Sequence, residues 1–323
     1  MKLLVLGGTA FLGRHVVEAA LAAGHAPTLF NRGRRAPGLF PALRTLVGDR
    51  NGDAAALRGQ RFDAVIDLSG YTPRHVATVL DALGTDAIGH YVFVSSISVC
   101  RAFPPGCAYD EAAPVADGHE GYGPLKARSE EALAAALPGR LSCVRPGLIV
   151  GPHDPTGRFT YWPRRVARGG AVLAPGRPGR PVQWIDARDL AAWCVQLAER
   201  RQGGVFHAVG PREVLTMLEL LETCRDVANS DARWVWRSDA ELRADGVAPW
   251  TGLPLWLPED DADFGGMLLA RCERALQAGL RLRPLADTVR ATLDWDRARD
   301  PPVVGEVETL SAGREAELLA DAA

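Results

Sequence analysis

Residues 2–24 read KLLVLGGTAFLGRHVVEAALAAG. A short apolar run (2–6) meets two glycines, and the chain then changes period. From Phe11 onward, Leu12, Val16, Ala19, Ala20 and Ala23 recur on one helical side, and Gly24 stands where a C′ glycine would close the helix. A strand that feeds a glycine turn opening a helix is the context of a dinucleotide-binding loop. Gly7 can make the tight turn and Gly13 lets the helix sit close to the strand. The helix N-terminus then offers free N–H groups and a partial positive charge to a phosphate. Ala10 stands at the middle position, where close backbone approach is needed, and Gly8 can supply the freedom that Ala10 lacks. The same stretch also reads as a plain strand–helix turn, so the fold must be argued from its surroundings.

Working outward, PTLFN (27–31), RTLVGD (44–49), DAVIDLS (63–69), HYVFVSS (90–96) and RLSCVRP (140–146) read as further strands, with a long helix over 119–137. Alternating strand and helix signals predict an α/β fold with a Rossmann-type, doubly wound parallel sheet over residues 1–150. Proline, glycine and arginine crowd residues 151–182. A strand-plus-helix unit (182–199) and another strand (204–210) follow, so 182–210 is expected to return to the first domain. Residues 151–181 and 211–310 are expected to form a smaller, mostly helical substrate-binding annex. Residues 311–323 read as a tail helix with Ser311 as N-cap.

The chain has 323 residues, 24% of them charged, and a formal net charge of −2, so no global charge points to nucleic acid or an anionic membrane. Its six cysteines show no C-x-x-C spacing and its seven histidines no H-E-x-x-H, so no metal is expected. No apolar stretch of about 18 residues is visible, and Arg14, His15 and Glu18 interrupt any signal-peptide reading of the start. A cytoplasmic protein is expected.

Three constellations carry chemistry. FNRGR (30–34) closes the second strand. Asn31 stands near the position where NAD-preferring sites hold an acid, and Arg32 and Arg34 follow, which favours NADP(H) over NAD(H) while leaving NAD(H) possible. An ordinary basic surface loop would read the same. Asp49 closes the third strand beside Arg50, and suits either an adenine contact or a turn. Tyr122 and Lys126 share a helix face at i,i+4, where an ammonium near a phenol would lower the phenol's pKa and make it a usable proton donor or acceptor. Ser95 and Ser96 end the fifth strand, at the carboxyl edge where ligands bind in such sheets.

With these residues in place the chain resembles the extended short-chain dehydrogenase/reductase superfamily, the NAD-dependent epimerase/dehydratase-like enzymes. The resemblance runs over roughly residues 1–300, through GGTAFLG (7–13), VGD (47–49), LSG (68–70), VSSISV (94–99), YGPLK (122–126), VRPGLIVGP (144–152) and VQWIDARDLA (182–191). It implies Tyr122 as catalytic acid/base, Lys126 as its partner and a ligand of the nicotinamide ribose, and Ser96 as the hydroxyl that orients the substrate oxygen. It implies cofactor contacts from Gly7, Thr9, Ala10, Phe11 and Leu12, from Asn31, Arg32, Asp49 and Arg50, from Leu68, Ser69 and Gly70, and from Pro146 and Ile149. Arg180, six residues before Asp186, matches an arginine that touches nucleotide phosphate in the nucleotide-sugar branch. Ser98, Arg158 and Trp184 are further substrate-side candidates.

The chain departs from the pattern at Ala10, at the basic Asn31-Arg32 turn, and at Cys100 and Arg101, where sugar-nucleotide members often have tyrosine and glycine. The expected function is therefore an NAD(P)-dependent oxidoreductase acting on a ketone or secondary alcohol of a small polar or sugar-like substrate. The alternatives are a cofactor-retaining sugar or nucleotide-sugar epimerase, and a non-catalytic nucleic-acid-binding relative. The resemblance also implies a small-molecule partner and a homodimer.

Overall fold

Four residues of the opening apolar run form β1 (Leu3–Leu6), buried on both faces, and α1 (Phe11–Ala22) follows the glycine turn. The computed structural model describes residues 1–299 and 305–320. β2 (Thr28–Asn31), β3 (Thr45–Val47), β4 (Phe62–Asp67), α2 (Pro73–Leu83) and β5 (Ile88–Val94) come next. Then come α3 (Tyr122–Ala136), β6 (Leu141–Pro146), β7 (Ile149–Val150), α4 (Tyr161–Ala167) and β8 (Ala171–Pro175). β9 (Pro181–Asp186) runs straight into α5 (Ala187–Arg200), followed by β10 (Gly204–Ala208), β11 (Gly210–Thr216) and α6 (Met217–Ala228). β12 (Arg233–Arg237), α7 (Asp239–Ala244), α8 (Glu273–Gln277), α9 (Leu285–Arg297) and α10 (Ala312–Ala320) complete the described chain.

The main sheet has the order β10-β6-β5-β4-β1-β2-β3, every pairing parallel. It is the doubly wound Rossmann architecture the alternation predicted. β1, β4 and β5 are nearly continuous apolar runs because helices cover both faces. One core lies under α1 and α5, with Val16, Val17, Leu190, Trp193 and Leu197 packed on the sheet. The other lies under α2 and α3, with Val76, Val79, Leu133 and Tyr91.

Of the stretch expected to return to this layer, α5 packs on α1 and β10 pairs with β6. β9 does not join the main sheet; it pairs with β7 and β11 in a separate three-stranded sheet. The rest of the annex combines α4, α6, α7, α9 and α10 with a β12–β8 pair around Trp162, Trp256, Leu220 and Leu221. Its strands went unread because runs such as RWVWR (233–237) are short and follow no clean alternation. α10 is pinned by Leu318 and by Glu315, whose carboxylate takes the buried Arg165 guanidinium and the Leu173 N–H. The Ser311 hydroxyl accepts the Arg314 N–H at its start. Residues 300–304 of the expected annex and 321–323 of the expected tail helix lie outside the described residues.

Candidate active site

A cleft of about 600 Å3 opens at the carboxyl ends of β1, β2, β4, β5 and β6, around the point where strand order reverses. Its floor is the opening turn. The Gly7 N–H donates to the Phe30 carbonyl at 2.9 Å, tying the turn to β2. The helix then lies directly on the turn: a Cβ on Gly13 would stand 2.6 Å from the Gly8 nitrogen. Ala10 needs no such freedom. It is the N-cap of α1 in ordinary extended conformation, φ −134° and ψ 142°. No side chain caps this helix and its first turn has no acid, so its leading N–H groups are left for an anion. Gly7, Thr9, Ala10, Phe11 and Leu12 all line the cleft.

At the end of β2 the Asn31 side chain braces the turn. Its Nδ2 donates to the Gly7 carbonyl at 3.4 Å and its Oδ1 accepts the Gly33 N–H at 2.7 Å. Arg32, Arg34 and Arg35 line the cleft here. Arg35 reaches Glu306 at 3.7 Å across solvent, whereas Arg32 and Arg34 form no ion pair among the described residues. Asp49 is an Asx turn: its Oδ1 accepts the Asn51 backbone and side-chain N–H groups, each at 3.0 Å. The Asn51 hydrogen bonds, with Arg32 and Arg34 nearby, hold its carboxyl below the usual range.

Arg50 lines the cleft, but its charge is spent beneath it. It grips Asp67 with two bonds of 2.7 and 2.9 Å and reaches the Ser69 hydroxyl at 3.1 Å. The Tyr91 hydroxyl donates to the same carboxylate at 2.8 Å. Burial works against both charges, yet the pairing outweighs it: Arg50 stays protonated and the Asp67 carboxyl sits below its usual range. Leu68 and Ser69 face the cleft, as do Pro146 and Ile149 across it. Gly70 does not; it is buried against Phe93 and Asp67, because the chain turns behind the Asp67 carboxylate.

Ser96 follows β5 and starts a short 3₁₀ turn, Ile97–Val99, in which its Oγ accepts the Ser98 N–H at 3.1 Å. Tyr122 opens α3 against this turn. The two elements meet because residue 123 is glycine: a Cβ there would stand 2.0 Å from the Ser98 carbonyl oxygen. The Ser96 hydroxyl and the Tyr122 phenol consequently line the same cleft, and the hydroxyl lowers the phenol's pKa. Tyr122 is 51% exposed as a residue, facing the cleft with its ring 6.5 Å from that of Tyr71.

Lys126, one turn on, is buried. Its Nζ donates to the Val94 carbonyl at 2.7 Å and lies 4.7 Å from the Phe93 ring centre and 5.2 Å from that of Tyr71. Burial pushes its pKa down to about 8, with Asp67 opposing and Arg50 reinforcing the shift. The expected acidification of the phenol by this ammonium is not what the geometry delivers. Burial raises the Tyr122 pKa, and the group that pulls it back is first the Ser96 hydroxyl, because Lys126 is turned inward to the strand end.

Two further expectations are corrected. Arg180 is 2% exposed and committed to Asp239 at 3.1 Å and to the Leu257 carbonyl. Asp239 also takes the Trp256 indole N–H and the Glu259 N–H, both at 2.8 Å, so this cluster staples the annex loop and leaves no arm for a phosphate. Trp184 is core, packed 5.0 Å from the Phe159 ring. Ser98 contributes its backbone, beneath Gly123 and to Ser96. Arg158 sits on the annex side, close enough to the Tyr122 phenol to favour its ionised form.

Sequence reasoning passed over several cleft residues: Arg35, Asn51, Tyr71 and His75 line it. Ser95, set aside in favour of Ser96, also lines it, with a buried Oγ that has no partner among the described residues. The Y-G pair at 122–123 was a readable signal of close helix approach; Tyr71, just before α2, and His75, in its first turn, belong to no recognisable motif.

The fold and this cleft define a Rossmann-type dinucleotide-binding protein. The chain belongs to the NAD dependent epimerase/dehydratase family, whose model matches residues 3–209. The structure of the UDP-glucose 4-epimerase of Thermus thermophilus in complex with NAD shares the fold, with a TM-score of 0.66 at 18% identity over 92% of this chain and 99% of that one. Among curated proteins, the chloroplast stem-loop binding protein of 41 kDa b from Arabidopsis thaliana is 25% identical over 240 residues, 66% of this chain and 60% of that protein. The 2-alkyl-3-oxoalkanoate reductase of Stenotrophomonas maltophilia (strain K279a) is 33% identical over 183 residues, 48% of this chain and 52% of that protein. The alignments thus span little more than half of these curated relatives.

Proposed function

We propose that the protein is an NAD(P)-dependent oxidoreductase that interconverts a ketone and a secondary alcohol on a small polar substrate, with NADP(H) the favoured cofactor. One observation carries the reading: the Ser96 hydroxyl and Tyr122 phenol share a single cleft with an uncapped helix N-terminus and two arginines that have no ion-pair partner among the described residues. The α1 N–H groups suit a pyrophosphate, and the orphaned Ser95 Oγ is a further polar atom facing the same space. Arg32 and Arg34 would take an adenosine 2′-phosphate, and Lys126 a ribose hydroxyl. When bound, the nicotinamide supplies or accepts the hydride. Ser96 orients the substrate oxygen, and Tyr122 gives it a proton on reduction or removes one on oxidation. Lys126, with its pKa near 8, holds a positive charge at neutral pH beside this exchange.

The reductase among the curated relatives supports ketone reduction, since its printed name describes a 3-oxoalkanoate as substrate. The epimerase among the structural relatives supports the second reading, a cofactor-retaining sugar epimerase. Against it stand Cys100, Arg101 and the buried Arg180, whose two terminal nitrogens are held by Asp239 and the Leu257 carbonyl. The test is a panel of ketones with NADPH and NADH, followed by loss of reduced-nicotinamide absorbance. Consumption of stoichiometric NADPH supports the proposal. Epimerisation without net cofactor consumption, or RNA binding that weakens with salt and no turnover, would replace it.

A further inference from the structure

Lys2 and Lys126 are the only lysines in a chain with 37 lysines and arginines together, and Lys126 is the buried one. Its ammonium makes one hydrogen bond among the described residues, to the Val94 carbonyl at 2.7 Å, and pairs with no carboxylate there. A charge held out of water in this way is costly unless something else meets it. Two aromatic rings do. The Phe93 ring centre lies 4.7 Å from Nζ and that of Tyr71 5.2 Å, both inside the range of about 6 Å over which a ring face attracts a cation. Phe93 belongs to the sheet and is fully buried, whereas Tyr71 lines the cleft and is half exposed. Tyr71 is thus the wall of this cage that faces the cleft. Its backbone is tied down at the start of α2. The Tyr71 N–H donates to His75 Nδ1 at 3.3 Å, the two rings meet edge to face at 6.4 Å, and the Thr72 hydroxyl caps the helix by accepting the His75 N–H. With Nδ1 accepting, His75 Nε2 is the nitrogen that donates to Asn51 Oδ1 at 2.9 Å. Among the described residues Tyr71 bonds only through that N–H, and its hydroxyl has no partner.

We propose that Tyr71 is a positioning residue for Lys126: the face of its ring, with that of Phe93, holds the ammonium at the end of β5, one helical turn from Tyr122. The proposal rests on the oxidoreductase reading, which gives Lys126 its role. An ammonium is a compact charge on a flexible four-carbon stem, so walls are needed to fix it. Ring faces attract it without using up its three donors. One of these goes to Val94, and two stay free for a ribose hydroxyl. Around the ammonium, burial is the largest influence and brings its pKa to about 8; Asp67 at the end of β4 and Glu130 on α3 favour its charge, and Arg50 after β3 opposes it. The titratable groups on the cleft side are Tyr71 and Tyr122, with His75 beside Tyr71, its pKa held below the usual value by burial.

The test reads Lys126 itself. The full chain is made with lysine isotopically labelled at Cε and titrated by NMR, which gives two resonances, and Lys2→Arg assigns the one from Lys126. Three proteins are compared: the native chain, Tyr71→Phe, and a chain with Tyr71 replaced by trifluorophenylalanine, fluorinated at the meta and para positions. The last keeps the size of the ring and drains the negative charge from its face. Tyr71→Phe should leave the Lys126 pKa within about 0.3 unit of native, because the face is kept. The fluorinated ring should lower it by roughly 0.5 to 1.5 units, because the charged form loses its partner. The Lys2 resonance should titrate alike in all three. Where the chain reduces a ketone with NADPH, the alkaline limb of kcat/KM should move down by the same amount in the fluorinated protein and stay in place in Tyr71→Phe. A Lys126 pKa that ignores fluorination, or rises with it, overturns the proposal, since the ring would then only exclude water. A fall in Tyr71→Phe as large as in the fluorinated protein overturns it too, by assigning the effect to the hydroxyl. If the pKa follows the ring but NADPH neither binds nor is consumed, the aromatic seat of Lys126 stands and the oxidoreductase reading falls.

Discussion

Replacing Gly123 with alanine separates the contact between α3 and the Ser96 turn from everything else. The new Cβ would lie 2.0 Å from the Ser98 carbonyl oxygen, and ordinary contact begins at 3.4 Å, so one backbone must retreat by about 1.4 Å. Neither neighbour is a flexible side-chain end: one is helix backbone and the other the turn that carries Ser96. Overpacking of this kind costs about 1–3 kcal/mol. The larger effect is on chemistry, because Tyr122 moves with the helix. A misplacement of about 1 Å can cost on the order of a hundredfold in rate. The expected result for Gly123→Ala is therefore kcat/KM lower by roughly that factor on any ketone the native chain reduces, with thermal unfolding lowered by roughly 2–4 °C per kcal/mol. Gly38→Ala is the control, since nothing lies within 4 Å of its added methyl and it should stay within about 0.5 kcal/mol of the native chain. A Gly123→Ala protein with native melting and native kcat/KM would refute the idea that this glycine seats the phenol.

Three other outcomes follow from the geometry. Arg50→Met strands the buried Asp67 carboxylate and should cost about 3–5 kcal/mol in urea unfolding near pH 7. In the native chain the Asp67 carboxyl is held low, so its contribution is present above the unfolded pKa of about 3.9 and lost as pH falls through the folded value. In the variant burial raises that pKa, so the deficit should shrink toward acid pH; a pH-independent deficit, or one under about 1 kcal/mol, would count against the pairing. Arg32→Ala with Arg34→Ala should weaken NADPH binding by roughly tenfold to a hundredfold and leave NADH unchanged in calorimetry, and equal losses for both would remove the 2′-phosphate assignment. Lys126, held near 8 by burial, should lose its charge as pH rises through that value, so NADPH affinity should drop above about pH 8 and Lys126→Met should flatten the profile. Because the unfolded lysine keeps its proton to about 10.5, the same group makes stability rise with pH between those values, measurable by melting across that window.

The main layer was legible because a parallel sheet covered on both faces writes each strand as an apolar run ended by glycine, serine or aspartate, as in LLVLGG and YVFVSS. The residues at those strand ends then fell into one cleft because the topology puts every carboxyl end on one rim. What sequence could not give was direction. Arg50 and Lys126 sit at the positions expected, but their charges turn inward, to Asp67 and to the Val94 carbonyl. Nothing in the letters distinguishes a buried basic group from an open one. Arg180 was misread for the same reason: its partner Asp239 lies 59 residues away, on a helix no spacing rule connects to it. The β8–β12 pair was illegible because its two strands come from distant segments, and β9, legible as a strand, was assigned to the wrong sheet because its neighbours are β7 and β11. Ala10 shows the reverse case, where a departure from pattern costs nothing because the residue sits in ordinary extended backbone.

The most direct measurement is turnover and NADPH affinity of Tyr122→Phe on one preparation. The account predicts kcat lower by roughly a hundredfold to ten-thousandfold with the Kd for NADPH within about twofold of native, since only the proton-transferring hydroxyl is removed. A phenylalanine variant that reduces its ketone within about tenfold of the native rate would show that the proton travels by another route and would contradict the catalytic assignment at its centre.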